Sequence, residues 1–414
     1  MSEMPRILIS AYACEPFRGS EPGVGWNWVR QASRFGQIWV ITRSNNRKTI
    51  DTALARESFP NVHFVYVDFP KWARLWKRGE RGIHAYYYLW QIHAYFTARR
   101  LHRNIGFDLV HHVTFVNFWM PSFVSLLPAR FVWGPVGGGE SAPLAFWRSL
   151  GWRGVAYESA RWLARTLGTL DPFVRLTAIR ADRAFATTQE TATRLTGLGC
   201  RDVALLSEAA LPDEEIERFA KVPDAPERPF RVLSLGRLLH WKGFHLGIEA
   251  FARFARRVPD SEYRIVGAGP ERKRLERLVD DLNLRGKVFL TGRVPREEAL
   301  AQLTQCHILL HPSLHDSGGW VCLEAMAAGR PVICLDLGGP GVQVSEEAGI
   351  KVPAITPTRV VADISAALVR LAENPALRQS MGAAGRRRVA EHFNWELKGR
   401  SALGSLAPRR VAAG

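Results

Sequence analysis

The chain has 414 residues, 47% of them hydrophobic and 23% charged, which is the make-up of a globular protein with two domains, or three, each able to bury a core. Its net charge is +17, unevenly spread: residues 1–210 carry 26 Lys/Arg against 15 Asp/Glu, so the first half holds most of the surplus, favouring an anionic partner such as nucleic acid, an acidic membrane face or a phosphorylated substrate. Five scattered cysteines without CxxC spacing argue against disulfides and zinc; the absence of an 18-residue apolar run, and of an apolar leader before the first strand, leads to an expectation of a cytoplasmic protein.

In chain order, Arg6 to Ser10 reads as a buried parallel strand. The loop Cys14 to Gly25 is glycine-bearing and precedes a helix expected from about Trp26 to Phe35, with a second strand at Ile38 to Thr42. The spacing is not GxGxxG, so a dinucleotide fingerprint is not supported, and Gly23 and Gly25 read equally as a structural turn or a ligand loop. A third strand is expected at Val62 to Val67. Residues 71–103 then hold eight Lys/Arg and one acid, Glu80, interleaved with Trp72, Trp76, Tyr86 to Tyr88 and Trp90. Such a mixture suits an anionic membrane surface, base stacking or a sugar groove; the plain alternative is a helix pair with an aromatic core and solvated arginines.

Phe107 to Val113 reads as a strand ending in His111-His112. Alternation allows one of the two to face a crevice at the strand's carboxyl end, and His112 is the choice. Phe131 to Trp133 is a strand leading into the Gly137-Gly138-Gly139 loop, with helix from about Trp152 to Arg183 and short strands at Ala184 to Thr187 and Val203 to Leu206. Three prolines between Pro223 and Pro229 mark a linker.

Phe230 to Leu235 restarts a strand, followed at once by Gly236-Arg237 and Lys242-Gly243. A helix start repels cations, so Arg237 and Lys242 there point to a bound anion. Strands are expected at Tyr263 to Val266 and Val288 to Val294, with a charged helix between them. The densest stretch is His311 to Ile333. It reads as the end of a strand beginning at Ile308, a loop containing Gly318 and Gly319, a helix from about Val321, a stop at Gly329 and another strand. Amides at such a turn receive phosphate. Asp316 and Glu324, eight residues apart, bracket it, so that hydroxyls on the two carboxylates and a pyrophosphate on the amides describe a nucleotide-sugar. A helix from about Thr358 to Glu373 follows, and the tail after Ser405 is expected to fray.

The stretch Pro312-Ser313, Gly319, Glu324-Ala325-Met326-Ala327, Gly329 and Pro331-Val332-Ile333 resembles the signature of the retaining glycosyltransferases of family 4. It departs from that pattern at Asp316, Ser317 and Gly318, where the family has Glu, Gly and Phe. The resemblance is dense over residues 230–395 and looser before residue 210. It implies an α/β GT-B fold, two Rossmann-like α/β/α domains facing across a cleft. The expected division is an acceptor-side domain at 1–222, a linker at 223–229, a nucleotide-sugar domain at 230–390, and a helix within 391–414 returning to the first domain.

The resemblance further implies transfer of a sugar from a nucleoside-diphosphate sugar to a hydroxyl of a glycan or lipid-linked acceptor, as in polysaccharide or glycolipid assembly. Arg237, Lys242 and the amides of Gly318 and Gly319 would hold the diphosphate, Glu324 the ribose, Asp316 the donor-sugar hydroxyls, and the turn at Gly292-Arg293 the base. His112 and the Gly23–Gly25 loop would contribute from the first domain. No Asp-x-Asp triplet occurs, so neither a metal nor another cofactor is expected. The expected placement is cytoplasmic, with residues 71–103 a candidate contact to the inner membrane face. The alternatives are a GT-B epimerase or phosphorylase and a basic nucleic-acid binder; no helix-turn-helix, zinc-finger or RNP signature favours the last.

Overall fold

The computed structural model describes residues 4–16, 19–74 and 82–404. The chain divides into two compact units, one comprising residues 1–139, 163–208 and 395–414, the other residues 140–162 and 209–394. The partition differs from a simple cut at the proline segment. Residues 223–229 lie inside the second unit, which also takes residues 140–162 from the middle of the first half.

The first unit is built on seven parallel strands: β1 (Arg6–Ala11), β2 (Gln37–Thr42), β3 (Val62–Tyr66), β4 (Leu109–Thr114), β5 (Arg130–Val136), β6 (Arg183–Ala186) and β7 (Val203–Leu205). Their order is β3-β2-β1-β4-β5-β6-β7, so the chain reverses direction of travel between β1 and β4. All six residues of β4 are buried, as expected of a strand covered on both faces. One face packs on the helix Ile83–Ile105 through Tyr86, Tyr87, Trp90, Ala94 and Ala98. The helix Trp395–Gly404 packs on the helix Glu21–Ala32, where Trp395 meets Trp28 edge to face at 5.8 Å.

Two expectations are corrected here. Gly23 and Gly25 are not in a loop. The helix starts at Glu21, five residues before the expected Trp26, because Pro22 fits its first turn and a Cβ on Gly25 would collide with the Ala13 carbonyl. Within residues 71–103, the reading of Tyr86, Tyr87 and Trp90 as surface gives way, since they are core residues, whereas Trp72 is exposed; Trp76, Lys77, Arg78 and Arg81 lie outside the described residues.

The second unit holds six parallel strands: β8 (Phe230–Leu235), β9 (Ser261–Val266), β10 (Val288–Gly292), β11 (Ile308–His311), β12 (Val332–Leu335) and β13 (Gly349–Val352). The order β10-β9-β8-β11-β12-β13 is that of a doubly wound nucleotide-binding sheet, with its switch point between β8 and β11. Successive residues alternate between two cores. Val232, Ile308, Leu310 and Ile333 pack with the helices Phe244–Arg257 and Pro357–Glu373, while Leu233, Leu309, Val332 and Cys334 pack with the helix Trp320–Ala327. That division makes the sheet the middle of three layers. A helix at Pro375–His392 carried no sequence expectation; its buried positions are largely small, leaving little apolar periodicity to read.

Candidate active site

Of the residues expected to bind a nucleotide-sugar, Arg237, Lys242, Asp316, Gly318 and Gly319 follow the carboxyl ends of β8 and β11, the switch point of the six-stranded sheet. β8 is followed by exposed Arg237 and then by a single turn, His240–Lys242. Gly243 closes that turn in the left-handed region (φ 66°) and begins the helix Phe244–Arg257. A Cβ there would collide with the carbonyl oxygen of Pro312, so glycine lets the turn after β8 lie directly on the turn after β11. Across this approach the Lys242 ammonium pairs with Oδ2 of Asp316.

Asp316 is the hub of the arrangement. Its Oδ2 also lies 3.1 Å from Nε2 of His311, and Oδ1 accepts weakly, at 3.5 Å, from the amide of Gly319. Its own carbonyl accepts the Gly339 amide at 2.7 Å. Burial works to raise the Asp316 pKa, but the Lys242 charge and the His311 hydrogen bond outweigh it and hold the carboxyl well below the usual carboxylate range. Burial keeps the His311 imidazole less basic than usual, so it donates to Asp316 as a neutral ring.

Gly319 sits in the left-handed region (φ 56°) as the cap of the helix Trp320–Ala327, and Gln343 donates to the carbonyl of Gly318. The loop therefore holds a helix start against a carboxylate and a lysine, rather than presenting wholly bare amides. One turn into the helix, Glu324 is buried and its Oε1 accepts from Arg296 at 2.8 Å; Arg296 also reaches Glu215 at 2.9 Å. Burial raises the Glu324 pKa and the Arg296 charge offsets part of that rise. Gly292 ends β10 at φ 83°, its carbonyl accepting the Gly267 amide at 2.9 Å, and Arg293 beside it is exposed.

The structure adds a cluster that sequence reasoning missed. Glu158 is buried, and its Oε1 accepts from Nε2 of both His240 (3.1 Å) and His315 (3.0 Å). His240 stands two residues before Lys242 and His315 one before Asp316, so one carboxylate fixes both loops. Burial would raise the Glu158 pKa, but the two imidazole hydrogen bonds bring it down to about 2. Trp241 stacks between Tyr157 and His315, at ring distances of 5.0 and 5.2 Å. Ser317 donates to the buried carboxylate of Glu140 at 2.8 Å. No local pattern could have joined Glu158 to residues 82 and 157 positions further on.

In the first unit, His111 and His112 lie within β4, which ends at Thr114, and both are buried. Alternation sends them to opposite faces. His111 donates to the Gly134 carbonyl at 2.8 Å and packs on Trp28; His112 lies 2.8 Å from the Tyr87 hydroxyl and 3.1 Å from the Gln91 amide. Burial lowers the two imidazole pKa values to about 4 and about 3. Glu21, at the start of the helix bearing Gly23 and Gly25, accepts the Phe115 amide, and burial raises its pKa to about 7.

Two doubly wound units, the second with a cation, two acids and a helix start at its switch point, define an α/β protein of the GT-B fold. Residues 215–388 match the model of the family described as glycosyl transferases group 1. Among relatives, 217 residues are 30% identical to a 2-deoxystreptamine glucosyltransferase of Streptomyces kanamyceticus, covering 50% of this chain and 55% of that one. In a separate alignment over 218 residues the chain is 32% identical to a GDP-mannose-dependent phosphatidylinositol monomannoside mannosyltransferase of Mycolicibacterium smegmatis, covering 49% and 56%. The match thus spans about half the length of these relatives. Among solved structures, a sucrose-phosphate synthase from Thermosynechococcus elongatus superposes with a TM-score of 0.65 at 20% identity, covering 97% of this chain and 98% of that one. The Anabaena protein HepE, solved with UDP, gives 0.59 at 15% identity, covering 97% and 99%.

Proposed function

We propose that this chain is a retaining, metal-independent glycosyltransferase that moves a hexose from a nucleoside-diphosphate sugar to a hydroxyl of a glycan or lipid-linked acceptor. The observation that carries the reading is the Lys242–Asp316–His311 constellation at the switch point of the second unit, one helical turn from buried Glu324. A lysine has three N–H donors, so Lys242 can keep its bond to Asp316 while also meeting a diphosphate oxygen. With Arg237 it would neutralise the charge that grows on the leaving diphosphate, the task a divalent cation performs elsewhere. Asp316, held ionised, is suited to accept from donor-sugar hydroxyls and to face a centre that becomes oxocarbenium-like. Glu324 would take the ribose hydroxyls, and Gly292-Arg293 the base. By resemblance alone, His112 is assigned a catalytic place near the reacting carbon, and Gly23 and Gly25 to the donor phosphates. One relative is named for 2-deoxystreptamine and the other for phosphatidylinositol monomannoside; for this chain we favour a lipid-linked or polysaccharide acceptor at the cytoplasmic face of a membrane.

The test is a metal-free thermal-shift titration with UDP, GDP and ADP on the wild type and Lys242→Ala. A saturable rise for one nucleotide, lost in the variant, supports the donor site and identifies the base. No rise with any of the three removes the assignment.

A further inference from the structure

The strongest feature that the donor site leaves unused is an exposed apolar face on the first unit. On the last two turns of the helix Gly151–Leu170, Leu163, Leu167 and Leu170 follow one another at i, i+4 and i+7, and Leu170 is 72% exposed. The next helix, Pro172–Arg180, continues with Phe173, Leu176 and Ile179, all exposed. Asp171 joins the two helices as an N-cap, accepting the Phe173 amide at 2.8 Å, and its other oxygen accepts from the Tyr88 hydroxyl at 3.0 Å. Phe123 packs between the Tyr88 ring (5.5 Å) and the Phe173 ring (5.1 Å). The helix Ile83–Ile105 is therefore tied to this corner, and Arg99, three turns on from Tyr88, lies on the same side of it.

Charge decides what covers such a face. Residues 83–105 and 163–180 contain six arginines and one acid, Asp171, whose oxygens accept from the Phe173 amide and the Tyr88 hydroxyl. Arg99, Arg100, Arg103, Arg175 and Arg180 are exposed. A second copy on a two-fold axis would set arginines against arginines. Single-stranded nucleic acid would call for a row of exposed aromatic platforms, whereas residues 163–179 expose one aromatic, Phe173, beside five aliphatic side chains. Aliphatic side chains flanked by arginines in such excess over acids suit the boundary of headgroups and acyl chains in an anionic bilayer.

We propose that this face docks the protein on an anionic lipid surface. Leu167, Leu170, Phe173 and Ile179 enter the acyl boundary while Arg99, Arg103 and Arg175 meet phosphate headgroups. Among the described residues no helix is long and apolar enough to cross a membrane, so attachment through this face is peripheral. The inference deepens the membrane-side reading of the acceptor but does not depend on the donor site.

The experiment is flotation of the full chain with phosphatidylcholine vesicles, with and without phosphatidylglycerol, in the absence of nucleotide. The wild type floats with the anionic vesicles alone and is released by salt. Arg99→Gln and Arg175→Gln each weaken binding roughly five-fold. Leu167→Glu/Leu170→Glu abolishes it, with an unchanged melting temperature because both side chains are already exposed. Unchanged flotation of the leucine variant, equal binding to neutral vesicles, or a dimer in sedimentation that this variant dissolves would overturn the proposal. The nucleotide titration reads the donor site separately, so a failure of either reading is recognisable.

Discussion

Lys242 and Asp316, 74 residues apart in sequence, form an ion pair that links the turn after β8 to the turn after β11. The Lys242 charge, helped by the His311 hydrogen bond to the same oxygen, keeps the carboxylate ionised, and Lys242 is held where an anion would arrive. Asp316→Asn should leave binding of the free nucleotide equal or tighter, since the counter-charge on Lys242 is gone. Turnover should fall about 100-fold or more with little change in donor KM, as expected of a group that acts on the reacting sugar. A parallel loss of nucleotide binding would instead give Asp316 a purely architectural role.

Arg296 holds Glu324 and Glu215 together. Arg296→Met strands a buried carboxylate, and because the arginine is itself partly exposed the cost should be about 1–3 kcal/mol, below the range for a fully buried pair. Removing the cation raises the Glu324 pKa further, so the carboxyl protonates more readily in the folded variant. The deficit in urea midpoint should therefore be larger at pH 8 than at pH 5. A pH-independent deficit would mean that lost packing, not lost charge, is responsible.

Glu158 should be a positioning residue. Glu158→Leu leaves the imidazole N–H groups of His240 and His315 without their acceptor in a buried place and should cost about 2–4 kcal/mol. Its folded pKa of about 2 is depressed from 4.5, so its contribution is fully present above pH 4.5 and fades as pH falls toward 2. Glu158→Gln keeps one acceptor oxygen and should retain most of the stability while loosening the loops that carry Lys242 and Asp316, which donor KM would report.

Buried His111 and His112 have pKa values of about 4 and about 3, so both are neutral at physiological pH. If His112 serves the reaction, it does so as a neutral hydrogen-bonding ring. The rate profile should then lack the inflection near pH 6.5 that an ordinary histidine gives. An inflection lost in His112→Gln would show that substrate binding restores its charge.

Gly243→Ala adds a methyl group against the Pro312 carbonyl at a residue with φ of 66°. The strain should cost roughly 1–3 kcal/mol and displace Lys242, lowering nucleotide affinity as well as stability. Gly197→Ala, where a Cβ meets nothing within 4 Å, is the control and should be neutral or mildly stabilising.

Legibility followed the range of the interactions. The strands were readable because parallel strands buried on both faces appear as short apolar runs, and β1, β8 and β11 fall within a residue or so of where those runs stand. The stretch from His311 to Ile333 was readable because phosphate-type turns need glycine and acid at fixed local offsets. The helix containing Gly23 and Gly25 was misplaced because glycine reads as loop, while the close approach to Ala13 that demands glycine is a tertiary contact. For the aromatic residues of the helix Ile83–Ile105 the surface and core readings stayed level for the same reason: composition does not say which face of a helix meets a sheet.

The amino-acid sequence by itself determined the doubly wound plan, the cations after β8 and the acids around the helix Trp320–Ala327, since each depends on neighbours a few positions away. Only the tertiary structure decided that Asp316 takes both Lys242 and His311, that Glu324 is paired through Arg296, that Glu158 joins two loops, and that the exposed apolar face lies on residues 163–179. Those pairings follow from strand order, which brings β8 beside β11 across a long crossover. Pairing energy between side chains acts through space, and the chain carries no local mark of which distant residue will stand opposite.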